Sequence, residues 1–404
     1  MEATMKKLLS LLTVSAMAIA SLFTFAGCDS KPADGGANSD FTVGAIYINS
    51  QNDTAGYTYA HHHGIVKAME DLGLDTSTQL KIVDNVPEDD TAVANAIDQL
   101  AGQGCDIIFG ISFGYLNAFA EKAEEYPDIQ FSHATGYLSN ATNFNNYFGR
   151  IYQARYLAGI AAGLKTLEVG NNNIGYVSAW GTEYAETCSG INAFALGARA
   201  VNPDAVVHVN QISTWGDQEK ERQAAEVLID TYNCCVIAQH CDSAQPQIVA
   251  EEKGVYGCGY NSDMTEQAPA AHLTAPVWNW NVYYKLAMET AMAGKNVSEE
   301  IGNYYGGLVE GMVDISPLST NCEPETSDCI EAARNMMTSG NWDVFSGSQL
   351  KFTVGDGGYM METVDQPLVT NDGTVIVEAG GPSVDDGVIQ GSMNYYVEGV
   401  IAEN

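Results

Sequence analysis

Apolar residues recur along this chain in short runs, each closed by a turn signal and followed by helical spacing. Residues 41–48 form the first run and end in the polar turn 49–56, with a helix predicted over 58–72. A short strand at 80–83 precedes a helix over 90–103 that carries Val93, Ile97 and Leu100 on one face. Next comes the run 105–110, stopped by a glycine turn and continued as a helix through Glu125, and then a strand at 129–133. A second series repeats the alternation. Helices are predicted at 156–164, 188–200, 218–232 and 243–252, and strands at 173–179, 206–212, 234–239, 255–260 and 273–277. Strict strand–helix alternation predicts an α/β chain with parallel sheets, here two Rossmann-like lobes with a cleft between them. The first lobe would begin at 41–150 and the second would occupy 151–278. The stretch 279–404, with a helix at 282–293, short strands at 304–308 and 312–315 and a helix at 330–337, is expected to return to the first lobe with C-terminal segments that cross between the lobes.

The start of the chain changes the picture of where this body sits. Lys6 and Lys7 precede a mostly apolar run over 8–25, followed by Ala26, Gly27 and Cys28. A basic start, an apolar stretch and small residues before a cleavage point mark a secretory signal. With a cysteine next in line, residues 1–27 resemble a bacterial lipoprotein signal, in which Cys28 is lipidated and becomes the mature N-terminus; Phe25 stands where leucine is usual. Residues 28–40 are small and polar and read as a flexible tether. No later stretch is long and apolar enough to span a bilayer.

Composition removes some functions and adds few. Fifty-one acidic residues against 17 basic ones give a formal charge of −34, which argues against nucleic-acid binding, since phosphates need clustered Lys and Arg. The cysteines show no paired spacing of the zinc type, so no metal is expected. Cys322 and Cys329 flank an acidic stretch and are placed to form a disulfide; Cys105, Cys234, Cys235 and Cys258 fall in apolar runs and read as buried thiols. His61, His62 and His63 are neighbours on a predicted helix, about 100° apart, and cannot all face one ion.

Candidate chemistry collects where strands hand over to helices, the edge at which open parallel sheets bind ligands. Tyr57 and Tyr59 follow the first strand, and Phe113 and Tyr115 the third. In the second series Trp180, then Trp215 with Asp217, then Asp242, then Tyr260, Asn261 and Asp263 follow strands, and Trp278, Asn279 and Trp280 follow the last of them. Exposed indole is costly, so this set needs a flat apolar partner to cover it. Aromatic faces with a few carboxylates and amides suit a planar hydrogen-bonding ring. The turn Gly110-Ile111-Ser112-Phe113-Gly114 also spells G-x-S-x-G, the nucleophile elbow of serine hydrolases, with Asp242 or Asp263 and His272 following in a workable order. Against that reading, the turn falls early in the chain and no HGGG-type oxyanion motif is present.

Several collinear segments are similar to the basic membrane protein family of lipoproteins, the substrate-binding proteins of ABC importers, in its purine-binding branch. They are Gly56-Tyr57-Thr58-Tyr59-Ala60-His61, Ile108-Phe109-Gly110-Ile111-Ser112-Phe113-Gly114-Tyr115, His133-Ala134-Thr135-Gly136 and Tyr156-Leu157-Ala158-Gly159-Ile160-Ala161-Ala162-Gly163. Later come Gly190-Ile191-Asn192-Ala193-Phe194, Thr214-Trp215, Gln239-His240, Ser262-Asp263-Met264 and Val277-Trp278-Asn279-Trp280. The resemblance implies a type I periplasmic-binding fold, a monomer that closes about a multi-segment hinge on a purine base or nucleoside, no cofactor, and an ABC permease with its ATPase as partners at the outer face of the membrane. Nucleoside-binding relatives carry a Phe-Asn pair where this chain has Tyr57-Thr58-Tyr59, which favours a free base. The resemblance and strand-end position together imply that Tyr57, Phe113, Trp180 and Trp215 stack on the ring, that Asp242 and Asp263 accept its N–H groups, and that Asn279 fixes its orientation. A ligand sensor of the same fold, coupled to a signalling partner, has the same sequence signature.

Overall fold

The computed structural model describes residues 40–355 and 358–403. The expected signal sequence, Cys28 and the tether up to residue 39 lie outside the described residues. The first lobe alternates β1 (Val43–Tyr47), α1 (Gly56–Asp71), the single turn α2 (Thr76–Gln79), β2 (Leu80–Val83), α3 (Asp90–Gly102), β3 (Ile107–Ile111), α4 (Leu116–Glu125), β4 (Gln130–Ala134) and β5 (Phe144–Gly149). The second continues with α5 (Ile151–Val169), β6 (Asn173–Ser178), α6 (Ala185–Val201), β7 (Val206–Gln211), α7 (Gln218–Asp230), β8 (Val236–His240), α8 (Gln245–Glu252), β9 (Tyr256–Cys258) and β10 (His272–Thr274). Then follow β11 (Pro276–Trp278), α9 (Trp280–Met292), α10 (Val297–Glu300), β12 (Tyr304–Gly306), β13 (Val313–Ile315) and α11 (Thr326–Thr338). The chain closes with β14 (Ser348–Gly355), β15 (Gly358–Asp365), β16 (Leu368–Val369), β17 (Val375–Val377), α12 (Asp386–Gly391) and β18 (Val400–Glu403).

Two six-stranded sheets result, in the orders β12–β5–β4–β3–β1–β2 and β10–β9–β8–β6–β7–β18. Every ladder within them is parallel. Strands β1, β3 and β5 are buried along their whole length, as parallel strands covered by helices on both faces must be, and this is why β1 and β3 read as continuous apolar runs. The predicted fold class holds.

Residues 279–404 contribute to both sheets. Helix α9 packs on α1, and β12 adds to the first sheet beside β5. The final strand β18 instead joins the second sheet beside β7, pairing Val400 with Val207. Glycine-punctuated strands carry no mark of which sheet they will complete, because both sheets end in parallel edges. Strand β5 was also missed, since its core FNNYFG is half polar; its asparagines are buried because Asn145 donates to the Gly302 carbonyl at 2.6 Å and Asn146 N–H to Asn303 Oδ1 at 3.1 Å.

The expected Cys322–Cys329 bridge does not form: both are free thiols. Cys322 turns its sulfur to the Leu273 carbonyl of β10, 3.4 Å away, whereas Cys329 is buried in the first turn of α11 within the core. Each thiol packs as a small apolar group. Cys105, Cys234, Cys235 and Cys258 are buried free thiols as expected.

Helix α5 joins the two lobes. It starts two residues after β5 ends, and residues 151–166 are buried throughout. Its partner is α6, at backbone distance: a Cβ on Gly159 would sit 2.2 Å from the Phe194 carbonyl oxygen, and one on Gly197 would sit 2.0 Å from the Tyr156 oxygen. Glycine is required at both positions for the helices to meet this closely.

Candidate functional site

The carboxyl ends of the two sheets face one another, and their turns touch. Gly56 opens α1 at φ +87, and a Cβ there would stand 2.6 Å from the Asp242 carbonyl oxygen in the turn after β8. The Tyr57 N–H of the first lobe donates to the Asp242 carboxylate of the second. Asn261, in the turn after β9, donates to Asp242 Oδ1 at 3.2 Å. Beneath it lies Glu221, which is buried and held by the Ser243 N–H at 3.1 Å and by the Ser243 hydroxyl. Burial, and then the neighbouring Glu221, push the Asp242 carboxyl up to about 7.

A second charged group lies beside this latch. Arg155 of α5 is 1% exposed, with Nη1 donating to Tyr176 Oη at 2.7 Å and to the Gln239 carbonyl at 3.0 Å. Its guanidinium lies 4.0 Å from the centre of the Tyr260 ring, while Nε and Nη2 have no protein partner. Glu186, at the start of α6, approaches His240 Nε2 at 3.1 Å. Burial alone would raise the Glu186 carboxyl, but His240 and Arg155 outweigh it and hold it below its ordinary value. Burial, and then Arg155, drive His240 down to about 4, so it is neutral at pH 7. Nδ1 of His240, Oδ1 of Asn261 and the indole N–H of Trp180 are buried without protein partners. Buried polar atoms are nearly always satisfied, so such a group of open donors and acceptors marks a place where a ligand or solvent completes the bonding.

Aromatic rings border this cluster on two sides. Trp278 stacks on Trp280 at 4.4 Å and 13°, and Trp280 stacks on His61 at 3.8 Å. Tyr57 meets His61 at 4.2 Å, and Trp278 donates to Tyr260 Oη at 3.2 Å. On the other side Trp180, Tyr184 and Trp215 form a chain at 5.2 and 6.1 Å, with Trp215 6.1 Å from His240.

Of the residues singled out in the sequence, Tyr57, Trp180, Trp215, Asp242 and Trp278 are therefore brought together. Phe113 stands at the end of β3, 51% exposed, and Tyr59 packs on His63 at 4.2 Å. The other four are engaged in local structure. Tyr115 is buried and donates to the Val86 carbonyl at 2.6 Å, and Asp217 caps α7 through the Lys220 N–H at 3.1 Å. Asp263 caps its own turn through Thr265 at 2.9 Å and is exposed. Asn279 donates to the Gly311 carbonyl at 2.9 Å. The hydrolase reading finds Asp263 3.5 Å from His272 Nε2 but no link to the serine: Ser112 Oγ donates to Glu88 at 2.5 Å rather than to an imidazole, and His272 lies in the second sheet. His61 is a buried core histidine, 2.6 Å from Tyr284 Oη. Among the described residues no group of three or more His, Cys, Asp or Glu side chains is placed to hold a metal ion.

Sequence reasoning missed Arg155, Glu186 and His240. Arg155 shares its helix with a second buried cation, Lys165, and Glu186 looks like any acidic residue in a first turn, so neither stands out in the sequence.

The sequence profile described as ABC transporter substrate-binding protein PnrA-like matches residues 41–340. The chain belongs to this Bmp family. Among Bmp relatives, a putative ABC transporter glucose-binding protein of Haloferax volcanii is 36% identical over 79% of this chain and 78% of its own. A purine-binding protein of Brucella abortus is 34% identical over 90% of this chain and 94% of its own. Solved structures agree on the type I periplasmic-binding fold. An ABC transporter solute-binding protein of Conexibacter woesei superposes with a TM-score of 0.60 at 19% identity, covering 75% of this chain and 98% of that one. A transcriptional activator of the comK gene from Bacillus halodurans superposes at 0.62 and 18%, covering 74% and 99%. As a Bmp protein the chain is a substrate-binding component of an ABC transporter. Among the described residues no helix is long and apolar enough to cross a membrane.

Proposed function

We propose that this Bmp protein captures a purine base, or the corresponding nucleoside, between its lobes and delivers it to an ABC permease and its ATPase. Cys28 carries the lipid that holds it at the outer face of the membrane. The observation that carries this reading is the set of open donors and acceptors flanked by stacked indoles. The Trp180 N–H and Arg155 Nε–H and Nη2–H can donate, and Asn261 Oδ1 and the Glu186 and Asp242 carboxylates can accept. A purine edge presents the complement of both kinds, and its faces are apolar and flat. Stacking falls to Tyr57, Trp180 and Trp215, with Phe113 at the rim. The ligand bridges groups of both lobes, so its binding energy favours the state in which the lobes meet.

The test is a thermal-shift titration of residues 29–404 with adenine, guanine, hypoxanthine, their nucleosides and glucose. A ligand at a hundred times its dissociation constant adds roughly 2.7 kcal/mol and raises the midpoint. A shift with a base supports the reading, and a shift with nucleosides alone moves it to nucleosides. A shift with glucose and with no purine would overturn it.

A further inference from the structure

Outside the cleft, the segment beyond the family-matched region meets α5 and the end of α11 around a cavity of about 440 Å³. It lies between Gln153 of α5, the end of α11 and its following loop, and the β14–β15 hairpin. Asp343, Trp342, Ser346, Ser348, Thr363 and Ser383 line it, and no lysine or arginine does. Asp343 accepts from the Val344 N–H at 2.7 Å and the Ser383 hydroxyl at 3.1 Å, and Tyr152 Oη stands 3.4 Å away. No basic side chain stands at ion-pair distance from it among the described residues. The nearby Asp386 is already paired with Arg150, at 2.5 Å. Next to the lining, Asp365 accepts from Ser348 Oγ at 2.7 Å and adds a second negative charge.

We infer that this cavity is a second binding site, for a small organic cation bearing an ammonium group. A carboxylate taken out of bulk water costs free energy unless it is hydrogen-bonded and paired. Here three donors surround Asp343 and the counter-charge is missing. The Trp342 indole, 6% exposed, and the serine and threonine hydroxyls suit an alkylammonium, with its apolar carbons and N–H donors. A bare metal ion does not fit, because no cluster of three ligating side chains lies there and the volume exceeds what an ion fills. A phosphate or carboxylate ligand would meet negative charge and no cation. The site shares no lining residue with the cleft, so it stands apart from the identity of the transported solute.

The experiment is calorimetric titration of residues 29–404 with ethanolamine, choline, tetramethylammonium and spermidine, at constant ionic strength, with glycerol and glucose as neutral controls. At least one ammonium probe is expected to bind with one-to-one stoichiometry. Asp343→Asn, an isosteric change, should weaken it tenfold or more at an unchanged melting midpoint. Thr363→Trp, at an exposed position on the rim, should block it while the fold is retained. The inference is overturned if no ammonium probe binds up to about 10 mM. It is equally overturned if Asp343→Asn binds as tightly as the parent, or if only the neutral controls bind.

Discussion

The two lobes approach the cleft with different kinds of surface. Behind the first-lobe edge the polar groups carry no charge and several pair with one another, while Tyr57 Oη, Thr58 Oγ1, His61 Nε2 and Trp280 Nε1 lack a protein partner. His61 Nδ1 is 2.6 Å from Tyr284 Oη, Tyr147 Oη is 2.8 Å from Tyr284 Oη, and Ser132 Oγ is 2.9 Å from Tyr283 Oη. Burial pushes those tyrosines up and His61 down, so all stay neutral at pH 7. The second-lobe edge instead holds Arg155, Glu186, His240 and Asp242, with several of their bonds open. The first lobe offers a neutral aromatic platform, and the second a charged edge. Stability should therefore be concentrated in one lobe and ligand choice in the other.

The largest effect should come from breaking the platform. Trp280→Ala removes an indole stacked between His61 and Trp278 and is expected to cost about 3–5 kcal/mol, read as a lowered midpoint in urea. If it altered ligand selectivity without lowering stability, the division between lobes would fail. Next, Arg155→Met should cut ligand affinity about a hundredfold, or about 2.7 kcal/mol, and should also lower stability, because Glu186 loses its cation. Unchanged affinity in calorimetry would remove Arg155 from the site.

The pH dependence of closure sharpens the comparison, because the strongly raised carboxyl belongs to the second lobe. With the lobes in contact Asp242 titrates at about 7, against an ordinary value of 3.8. Glu221 lies in the same lobe and stays beside Asp242 on opening, but the burial that lobe contact adds is lost, so within that span the closed form binds more protons than the open form. Closing the ligand-free protein is thus easiest near pH 4, becomes harder as pH rises to about 7, by up to about tenfold per unit, and levels off above. Small-angle scattering across that window should show the radius of gyration rising with pH, and Asp242→Asn should flatten the curve. A pH-independent radius in the parent would sink this linkage.

Smaller effects separate ligand contacts from framework. Trp215→Ala, at a ring 39% exposed, should weaken purine binding about tenfold, or about 1.4 kcal/mol, with little loss of stability. Asp217→Ala, two residues away, should do the opposite: it loses a helix cap, costs about 1 kcal/mol and leaves affinity unchanged. Reversed outcomes for this pair would mean that position after a strand, rather than hydrogen bonding, decides which residues touch ligand.

That pair also shows how far the sequence could be read. The alternation of buried strands and amphipathic helices is local, and it was legible almost throughout. Strand-end position picked out Tyr57, Trp180, Trp215 and Asp242, because a parallel sheet puts every such turn on one edge. The same rule took in Asp217, Asp263 and Asn279, since a carboxylate or amide that caps a turn looks the same in sequence as one that waits for a ligand. Arg155 and His240 were hidden for the converse reason: their neighbours in space come from α5, α6 and β8, brought together by packing that no local pattern encodes. The destination of β18 and the state of Cys322 and Cys329 are likewise decided by distant partners.

The glycine seam between α5 and α6 has a mechanical consequence. Two helices in backbone contact leave little room to slide, so the second lobe turns as one piece about its crossings to the first, of which the link at Gly149 and Arg150 is one. The 19 residues of α5 make a lever about 28 Å long. A rotation of about 10° at its base sweeps its far end through about 5 Å. Arg155 rides near the fulcrum and barely travels, while the outer ends of the lobe swing widely. The cleft can thus keep its hold on a small solute while the outer rims move through a large displacement.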